Sequence, residues 1–170
     1  MRRLLTYILF ISIVTAITSC NNTDNLSAIF TDNPKKMTMI FEKNGTNRIP
    51  ITAKWGEEGI ECLETAKKDE NYILTYTGVE EDGTIAGRFE FKLVKITLKG
   101  KWGADGKKNT MWVEYDHPAM DPSKGTDRLE KEIIRTFVNI KKYSGDKNSQ
   151  SLYYKEGNST SKHYIGFVTF

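Results

Sequence analysis

Residues 72–115 read YILTYTGVEEDGTIAGRFEFKLVKITLKGKWGADGKKNTMWVEY, and this stretch decides the fold class. Apolar and polar side chains alternate along most of it, which predicts β-strands with one buried face. The pairs Asp82-Gly83 and Asp105-Gly106 tolerate the left-handed backbone that tight hairpin turns require. The stretch therefore predicts an antiparallel meander, with strands near 72–76, 85–91, 96–102 and 110–115.

The alternation changes phase in the middle of this stretch. Phe89, Phe91 and Leu93 share one phase, whereas Ile96 and Leu98 share the other. A change of phase would move every apolar side chain to the opposite face of the sheet. The chain therefore needs either a β-bulge or a turn near Leu93, and the pattern does not distinguish the two.

The segment before the meander repeats the hairpin pattern. Met37, Met39 and Phe41 fall on one face of a strand, and Asn44-Gly45 supplies a tight turn. A second alternating run follows, so a β-hairpin is predicted over residues 36–55. A further short strand is predicted for residues 60–63.

One amphipathic helix stands out after the meander, over residues 127–142. Asp127 and Glu130 form a capping-box-like pair at its start, and Lys141 and Lys142 suit the negative end of the helix dipole. A single stripe at helical spacing contains Leu129, Ile133, Ile134, Phe137, Val138 and Ile140. A closing hairpin is predicted from strands at 151–155 and 163–169.

The first twenty residues indicate export and lipidation. Arg2 and Arg3 precede an apolar run over residues 4–17, which is shorter than the ~20 residues of a spanning helix and typical of a secretory signal. The run ends in Ile-Thr-Ser before Cys20, as in a bacterial lipobox, in which the cysteine is acylated and becomes the new N-terminus. We therefore expect a signal peptide at 1–19, and the lipidated Cys20 with a flexible linker at 20–34.

The size and charge of the chain limit the classes of function. The chain has 170 residues, 38% hydrophobic and 28% charged, which suits one globular domain at 35–170. Removal of Arg2 and Arg3 with the signal lowers the formal charge of +3 to about +1. A nearly neutral chain lacks the basic footprint of a nucleic-acid-binding protein. With Cys20 acylated, Cys62 has no intramolecular disulfide partner, and its apolar neighbours indicate an inert, buried thiol.

Motifs for catalysis or for a metal are not found in the sequence. Two histidines, His117 and His163, lack further ligands at helical or hairpin spacing, so neither a metal nor another cofactor is expected. A Gly-x-Ser-x-Gly nucleophile turn and a phosphate-binding glycine loop are also missing. The pair Asp116-His117 is the only basis for an enzyme, and we keep an envelope hydrolase as an alternative function.

Aromatic side chains are the remaining candidates for a binding site. They could line an apolar pocket or form a carbohydrate platform, because aromatic faces pack on apolar surfaces and tyrosine adds a hydrogen bond. The alternative is that they fill the core of a β-domain. The candidates are Trp55, Trp102, Trp112, Tyr76 and Tyr115.

Several motifs together resemble those of Bacteroidetes lipoproteins of unknown function. The matching segments are the lipobox at Cys20-Asn21-Asn22 and the segments 75–78, 82–89, 101–110 and 153–158. The resemblance covers most of the mature chain, and its motifs belong to turns and strands. It implies a small lipocalin-like or META-type envelope domain, in which a curved antiparallel sheet packs on a helix. Acylation of Cys20 is the only residue role that it implies.

The sequence thus predicts a mainly β (α+β) domain, a curved antiparallel sheet or partly open barrel with one helix at about 127–142. We expect a non-enzymatic, lipid-anchored protein of the bacterial cell envelope that binds an unknown protein or small molecule. A lipocalin-like carrier of a small apolar ligand is the alternative reading of the same barrel. In the lipoproteins that this chain resembles, an aspartate after the acylated cysteine marks retention in the inner membrane. Asn21 at that position therefore implies the outer membrane, and the periplasmic face is favoured over the cell surface.

Overall fold

The computed structural model describes residues 25–116, 128–155, 157–158 and 160–169. Within these residues the helices are α1 (Leu26–Phe30), a 3-10 helix (Ile51–Lys54), α2 (Glu57–Lys67) and α3 (Arg128–Val138). The strands are β1 (Lys35–Asn44), β2 (Asn47–Pro50), β3 (Ile73–Glu81), β4 (Thr84–Lys92), β5 (Thr97–Asp105), β6 (Thr110–Tyr115), β7 (Lys142–Gly145), β8 (Ser149–Lys155) and β9 (Ser161–Thr169).

The strands form one antiparallel sheet that closes on itself. Its order is β2-β1-β3-β4-β5-β6-β7-β8-β9, and a further pairing of β1 with β9 joins the two sides. Eight strands thus make an up-and-down ring, while β2 lies beside β1 at its edge. Two of the strand pairings are short. Strand β1 pairs with β3 only at Lys35 and Lys36, and β6 pairs with β7 only at Thr110, opposite Lys142. The predicted curved sheet or partly open barrel is confirmed, and its architecture is consistent with a lipocalin-like barrel.

Helix α1 fills one end of this barrel. Phe30 is completely buried, and its ring centroid lies 5.3 Å from that of Tyr76, 4.7 Å from Trp102 and 4.9 Å from Tyr143. The Asn25 side chain caps the helix by accepting from the Ala28 amide at 2.7 Å. The prediction of a flexible linker was therefore wrong for the residues around α1. Leu26, Ile29 and Phe30 share one helical face, and this spacing was overlooked among polar neighbours.

Helix α3 fills the opposite end. Its side chains Leu129, Ile133, Ile134 and Phe137 are buried, and the Phe137 ring lies 5.2 Å from Phe89 and 5.1 Å from Phe91. The helix exists as predicted but is shorter, because Lys142 already pairs with Tyr153 of β8 as the first residue of β7. Asp127, the predicted cap, lies outside the described residues.

The region after β2 departs from the predicted hairpin and short strand. Strand β2 ends at Pro50, a 3-10 helix follows, and residues 57–67 form α2 where a strand over 60–63 was predicted. Glu57 and Glu58 in the first turn and Lys67 in the last suit the helix dipole. The Lys36 ammonium then holds the far end of α2 by donating to the Lys68 and Asn71 carbonyls. Apolar residues at 60 and 63 fit one helical face as well as a short strand.

The remaining strand predictions agree with the structure. The phase change is resolved by a turn, in which the Leu93 amide donates to the Ile96 carbonyl at 2.8 Å. Strands β3 to β6 form the predicted meander, and β8 pairs with β9 as the predicted closing hairpin. Strand β7 was not predicted, since its four residues carry no clear alternation.

Trp102, the largest side chain of the core, has room to pack because two glycines lie beside it. Trp102 of β5 pairs with Gly87 of β4, which pairs with Gly78 of β3, so the three share one inward-facing row. The Trp102 indole reaches across this row, and its Nε1 donates to the Thr77 carbonyl at 3.0 Å. A Cβ on Gly87 would lie 1.9 Å from that same carbonyl oxygen, so the close approach requires glycine.

The core also buries phenols that must stay neutral. Tyr76 is 2% exposed, and its hydroxyl has no hydrogen-bond partner among the described residues. Burial raises the pKa of Tyr76 well above its ordinary value and also raises that of Tyr115. Burial raises the pKa of Tyr143 too, and the charges of Asp105 and Glu80 add to that effect.

Replacement of Phe30 tests whether α1 belongs to the folded barrel. We expect Phe30→Ala to lower the free energy of unfolding by about 3–5 kcal/mol, because it leaves a cavity among three aromatic rings. Urea unfolding followed by circular dichroism measures this loss. Ile60→Ala, at a position 64% exposed, is the control and should change stability by less than ~0.5 kcal/mol. A Phe30→Ala protein as stable as the control would contradict the packing of α1.

The buried phenols predict a loss of stability in alkali. Below about pH 10 both states keep the phenolic protons, whereas above it the unfolded chain releases protons that the folded chain retains. Stability must therefore fall as the pH rises above about 10, so it is lower at about pH 11 than at about pH 8. Tyr76→Phe should reduce this fall at little cost at neutral pH, since the lost hydroxyl makes no hydrogen bond within the described protein. Urea unfolding at both pH values gives the comparison, and an identical alkaline loss in the variant would contradict it.

Candidate functional site

A cleft of about 790 Å³ opens at the end of the barrel that α1 fills. It lies between α1 and the turns that join β3 to β4, β5 to β6 and β7 to β8. Ligand pockets of proteins generally have volumes of about 300–1,000 Å³, so the cleft has the size of a ligand site. Its lining consists of Asn25, Leu26, Ile29, Glu80, Gly83, Gly106, Lys107, Asn109, Tyr143, Ser144, Gly145, Asp146 and Tyr153.

Two carboxylates hold the walls of the cleft in place. Glu80 of β3 accepts from the Ser27 amide at 2.8 Å and from the Ser27 hydroxyl at 2.9 Å, which fixes α1 against the sheet. Asp146 accepts from the Asn148 and Ser149 amides at 2.8 and 2.9 Å, which shapes the β7–β8 turn. The Ser149 and Asn148 amides hold the pKa of Asp146 below its usual value, so this carboxylate remains ionised at neutral pH.

The chemistry of the cleft is that of hydrogen bonding. Tyr143 belongs to the lining but is only 2% exposed, and burial raises the pKa of its phenol, which stays protonated. Asn109 and Ser144 add neutral polar groups, and Lys107 adds a cation. Leu26 and Ile29 of α1 supply the apolar part of the lining and are only 5% and 2% exposed. The exposed side chains of the described lining are mainly polar, which suits a polar molecule.

A buried amide lies directly behind one wall. Gln150 of β8 pairs with Gly145 of β7, is 1% exposed, and has no hydrogen-bond partner for either amide atom among the described residues. A buried amide without partners is costly, so this polar position next to the cleft stands out from the apolar core. The sequence contained a signal for it, because Gln150 starts the inward phase that Leu152 and Tyr154 continue.

The structure does not bring the five predicted aromatic residues into one site. Tyr76 and Trp102 lie in the core with ring centroids 4.5 Å apart, and Tyr115 packs against Phe89 at 5.9 Å. Trp55 is half-buried beneath the Arg128 guanidinium, which lies 4.4 Å from its ring. Trp112 lies on the outer wall and is 47% exposed. None of the five lines the cleft.

The described part of the structure contains only some of the other residues that the sequence singled out. Cys20 and His117 lie outside the described residues, and Asp116 pairs with Arg88. Cys62 packs against the core but is half-buried, so it is more exposed than the buried thiol that its apolar neighbours predicted. Across the described ranges, His, Cys, Asp and Glu side chains nowhere form a group that could hold a metal ion. Of the helices in those ranges, none has both the length and the apolarity to cross a membrane.

Comparison with a solved structure confirms the fold. A crystal structure, described as that of a DUF4847 family protein from Bacteroides vulgatus ATCC 8482 at 1.00 Å resolution, is similar with a TM-score of 0.60 and 21% sequence identity. The similarity covers 85% of this chain and 96% of that one, and at this identity it shows the fold alone. A search of curated proteins finds no match.

Comparison with protein families assigns the chain itself. The family described as a domain of unknown function (DUF4847) matches residues 21–169, nearly the whole chain after Cys20. The resemblance to a Bacteroidetes family of unknown function agrees with this match and with the Bacteroides structure. The chain is a member of the DUF4847 family.

Proposed function

We propose that this chain is a lipid-anchored protein of the bacterial cell envelope that binds a small polar molecule without catalysing a reaction. The cleft at the α1 end of the barrel is the observation that supports this function. It has the volume of a ligand pocket, and the exposed side chains of its lining include the hydrogen-bonding groups of Lys107, Asn109 and Ser144.

The packed interior favours this cleft over an apolar cavity inside the barrel. A carrier of the lipocalin kind needs space between its strands, and an eight-stranded barrel is only wide enough to hold one small ligand. Here Phe30, Tyr76 and Trp102 occupy that space at one end. Phe89, Phe91 and Phe137 occupy it at the other. A small apolar ligand would have to displace these rings.

The hydrogen bonds that Glu80 and Asp146 already make within the protein favour binding over catalysis. General acid–base chemistry needs a group near the substrate with a pKa close to the working pH. Glu80 is bonded to Ser27, and Asp146 is bonded to two backbone amides that lower its pKa. These groups shape the cleft. An envelope hydrolase acting through His117 remains the alternative.

The proposed anchor would set the orientation of the cleft. Acylation of Cys20 would leave residues 21–25 between the lipid and the first helical residue, Leu26, and five residues reach at most ~18 Å. Asn25 itself lines the cleft, so a short tether keeps the cleft end of the barrel facing the membrane. Several acyl chains would make this attachment stable. We propose the outer membrane and its periplasmic side as the location.

Native mass spectrometry after incubation with an extract of bacterial envelopes tests the cleft. We expect a reproducible added mass of a few hundred daltons on the purified protein. Ser144→Trp, an exposed lining position on β7, should remove it, because the indole would occupy the cleft. Ser151→Trp is the matched control, since Ser151 pairs with Ser144 but does not line the cleft. Unmodified wild-type protein, or equal ligand mass on both variants, would refute the cleft as the site.

The anchor has a test of its own. We expect Cys20→Ser to abolish incorporation of labelled palmitate and to release the protein from the membrane fraction, since acylation requires the thiol. Metabolic labelling and fractionation of the bacterial envelope measure the two effects, with Cys62→Ser as the matched control that should retain both. A Cys20→Ser protein that stays in the membrane fraction would mean that residues 4–17 act as an uncleaved anchor.

A further inference from the structure

The outer wall of the barrel contains an uncharged strip across four strands. Val79 of β3 pairs with Ala86 of β4, Ala86 with Gly103 of β5, and Gly103 with Trp112 of β6. Directly paired residues point to the same face of a sheet, so the four form one row. Val79 is 77% exposed and Trp112 47%, so the row faces solvent. We call it the Trp112 strip.

The indole of Trp112 lies flat on this wall. A Cβ built on Gly103 would lie 2.7 Å from the Trp112 Nε1 and 2.8 Å from its Cε2 and Cζ2. Three ring atoms at nearly equal distance place the ring plane across the outward direction of Gly103, so one face of the indole covers the glycine. Trp112 is 47% exposed, so a large part of the indole faces water. Ala86 beyond Gly103 is small, so nothing bulky on this row stands between the indole and Val79.

Polar side chains border the strip on both sides. The row on one side consists of Thr77, Arg88, Lys101 and Glu114, and the row on the other consists of Glu81, Thr84, Asp105 and Thr110. Both rows offer hydrogen-bond donors and acceptors, and the two together carry charges of both signs. This border suits a ligand that is rich in hydroxyl groups and has no strong charge.

The area of the strip excludes a stable protein partner on this surface alone. Four neighbouring strands span about 14 Å, and one row occupies about 7 Å along them, which gives roughly 100 Å². A stable protein–protein interface buries about 800 Å² on each partner. The strip has instead the dimensions of a short chain of sugar rings.

We propose that the Trp112 strip binds a neutral oligosaccharide. A sugar ring has an apolar C–H face that packs on an aromatic face, while its hydroxyls point outward to hydrogen-bonding groups beside it. Because the strip is open, a bound molecule keeps its far side in water, which a polyhydroxylated ring tolerates and an apolar cargo does not. Val79, Ala86, Gly103 and Trp112 lie outside the cleft lining, so this site is separate from the one proposed above.

Isothermal titration calorimetry of the purified protein with cellohexaose, maltohexaose and chitohexaose tests the proposal. We expect at least one of them to bind with a Kd of about 1 mM or lower, and Trp112→Ala to weaken binding at least about tenfold. Trp112→Phe should lose less, since it retains an aromatic face. Ile60→Ala, which removes an apolar side chain 64% exposed on α2, is the control and should bind like the wild type.

A second variant separates loss of binding from loss of folding. Ala86→Asp leaves Trp112 in place, alters an exposed side chain, and puts a charge in the middle of the strip. We expect it to keep the thermal stability of the wild type and to weaken binding at least about tenfold. No heat of binding with any of the three oligosaccharides would overturn the proposal. So would wild-type affinity in the Ala86→Asp protein. Neither result would affect the cleft, which is tested by a different ligand and different variants.

Discussion

Filling the interior of a closed sheet is the constraint on which the rest of this structure depends. Eight strands enclose a space that side chains can just occupy, but only if large ones meet in its middle. Trp102 provides the widest, and Gly87 and Gly78 provide the room for it. Phe30 then enters from outside the sheet and contacts three rings at once. Without α1, this cluster would be open to water at the end of the barrel.

The two helices at the ends follow from the same constraint. A ring of antiparallel strands satisfies its own backbone hydrogen bonds but exposes apolar side chains at both openings. Helix α1 covers one opening and α3 the other, each through one apolar face. With its interior filled in this way, the barrel presents polar groups at its rim and on its outer wall. The proposed cleft accordingly lies at the rim, and the Trp112 strip lies on the outer wall.

Local sequence patterns were sufficient to predict the structure where strands that pair with each other are also consecutive in the chain. The meander from β3 to β6 was predictable because alternation and the Asp-Gly turns act within a few residues. The same patterns did not predict the structure where contacts between residues far apart in the chain determine it. The stretch around Ile60 suits a strand or a helix. In the structure it is helix α2, which is held in part by the Lys36 ammonium of β1. Phe30 looked like part of a polar spacer, because the rings that it contacts lie on β3, β5 and β7.

The sequence by itself determined the fold class, the antiparallel order of the meander and the amphipathic helix, because these depend on periodicity and on turn residues. It also limited the chemistry, since catalytic and metal-binding motifs were missing. Only the tertiary structure decided which aromatic side chains fill the core and which face water. Trp102 and Trp112 both lie in alternating strands, yet one is completely buried and the other half exposed. Burial depends on the direction in which a closed sheet curves, and the curvature arises from strands far apart in the chain.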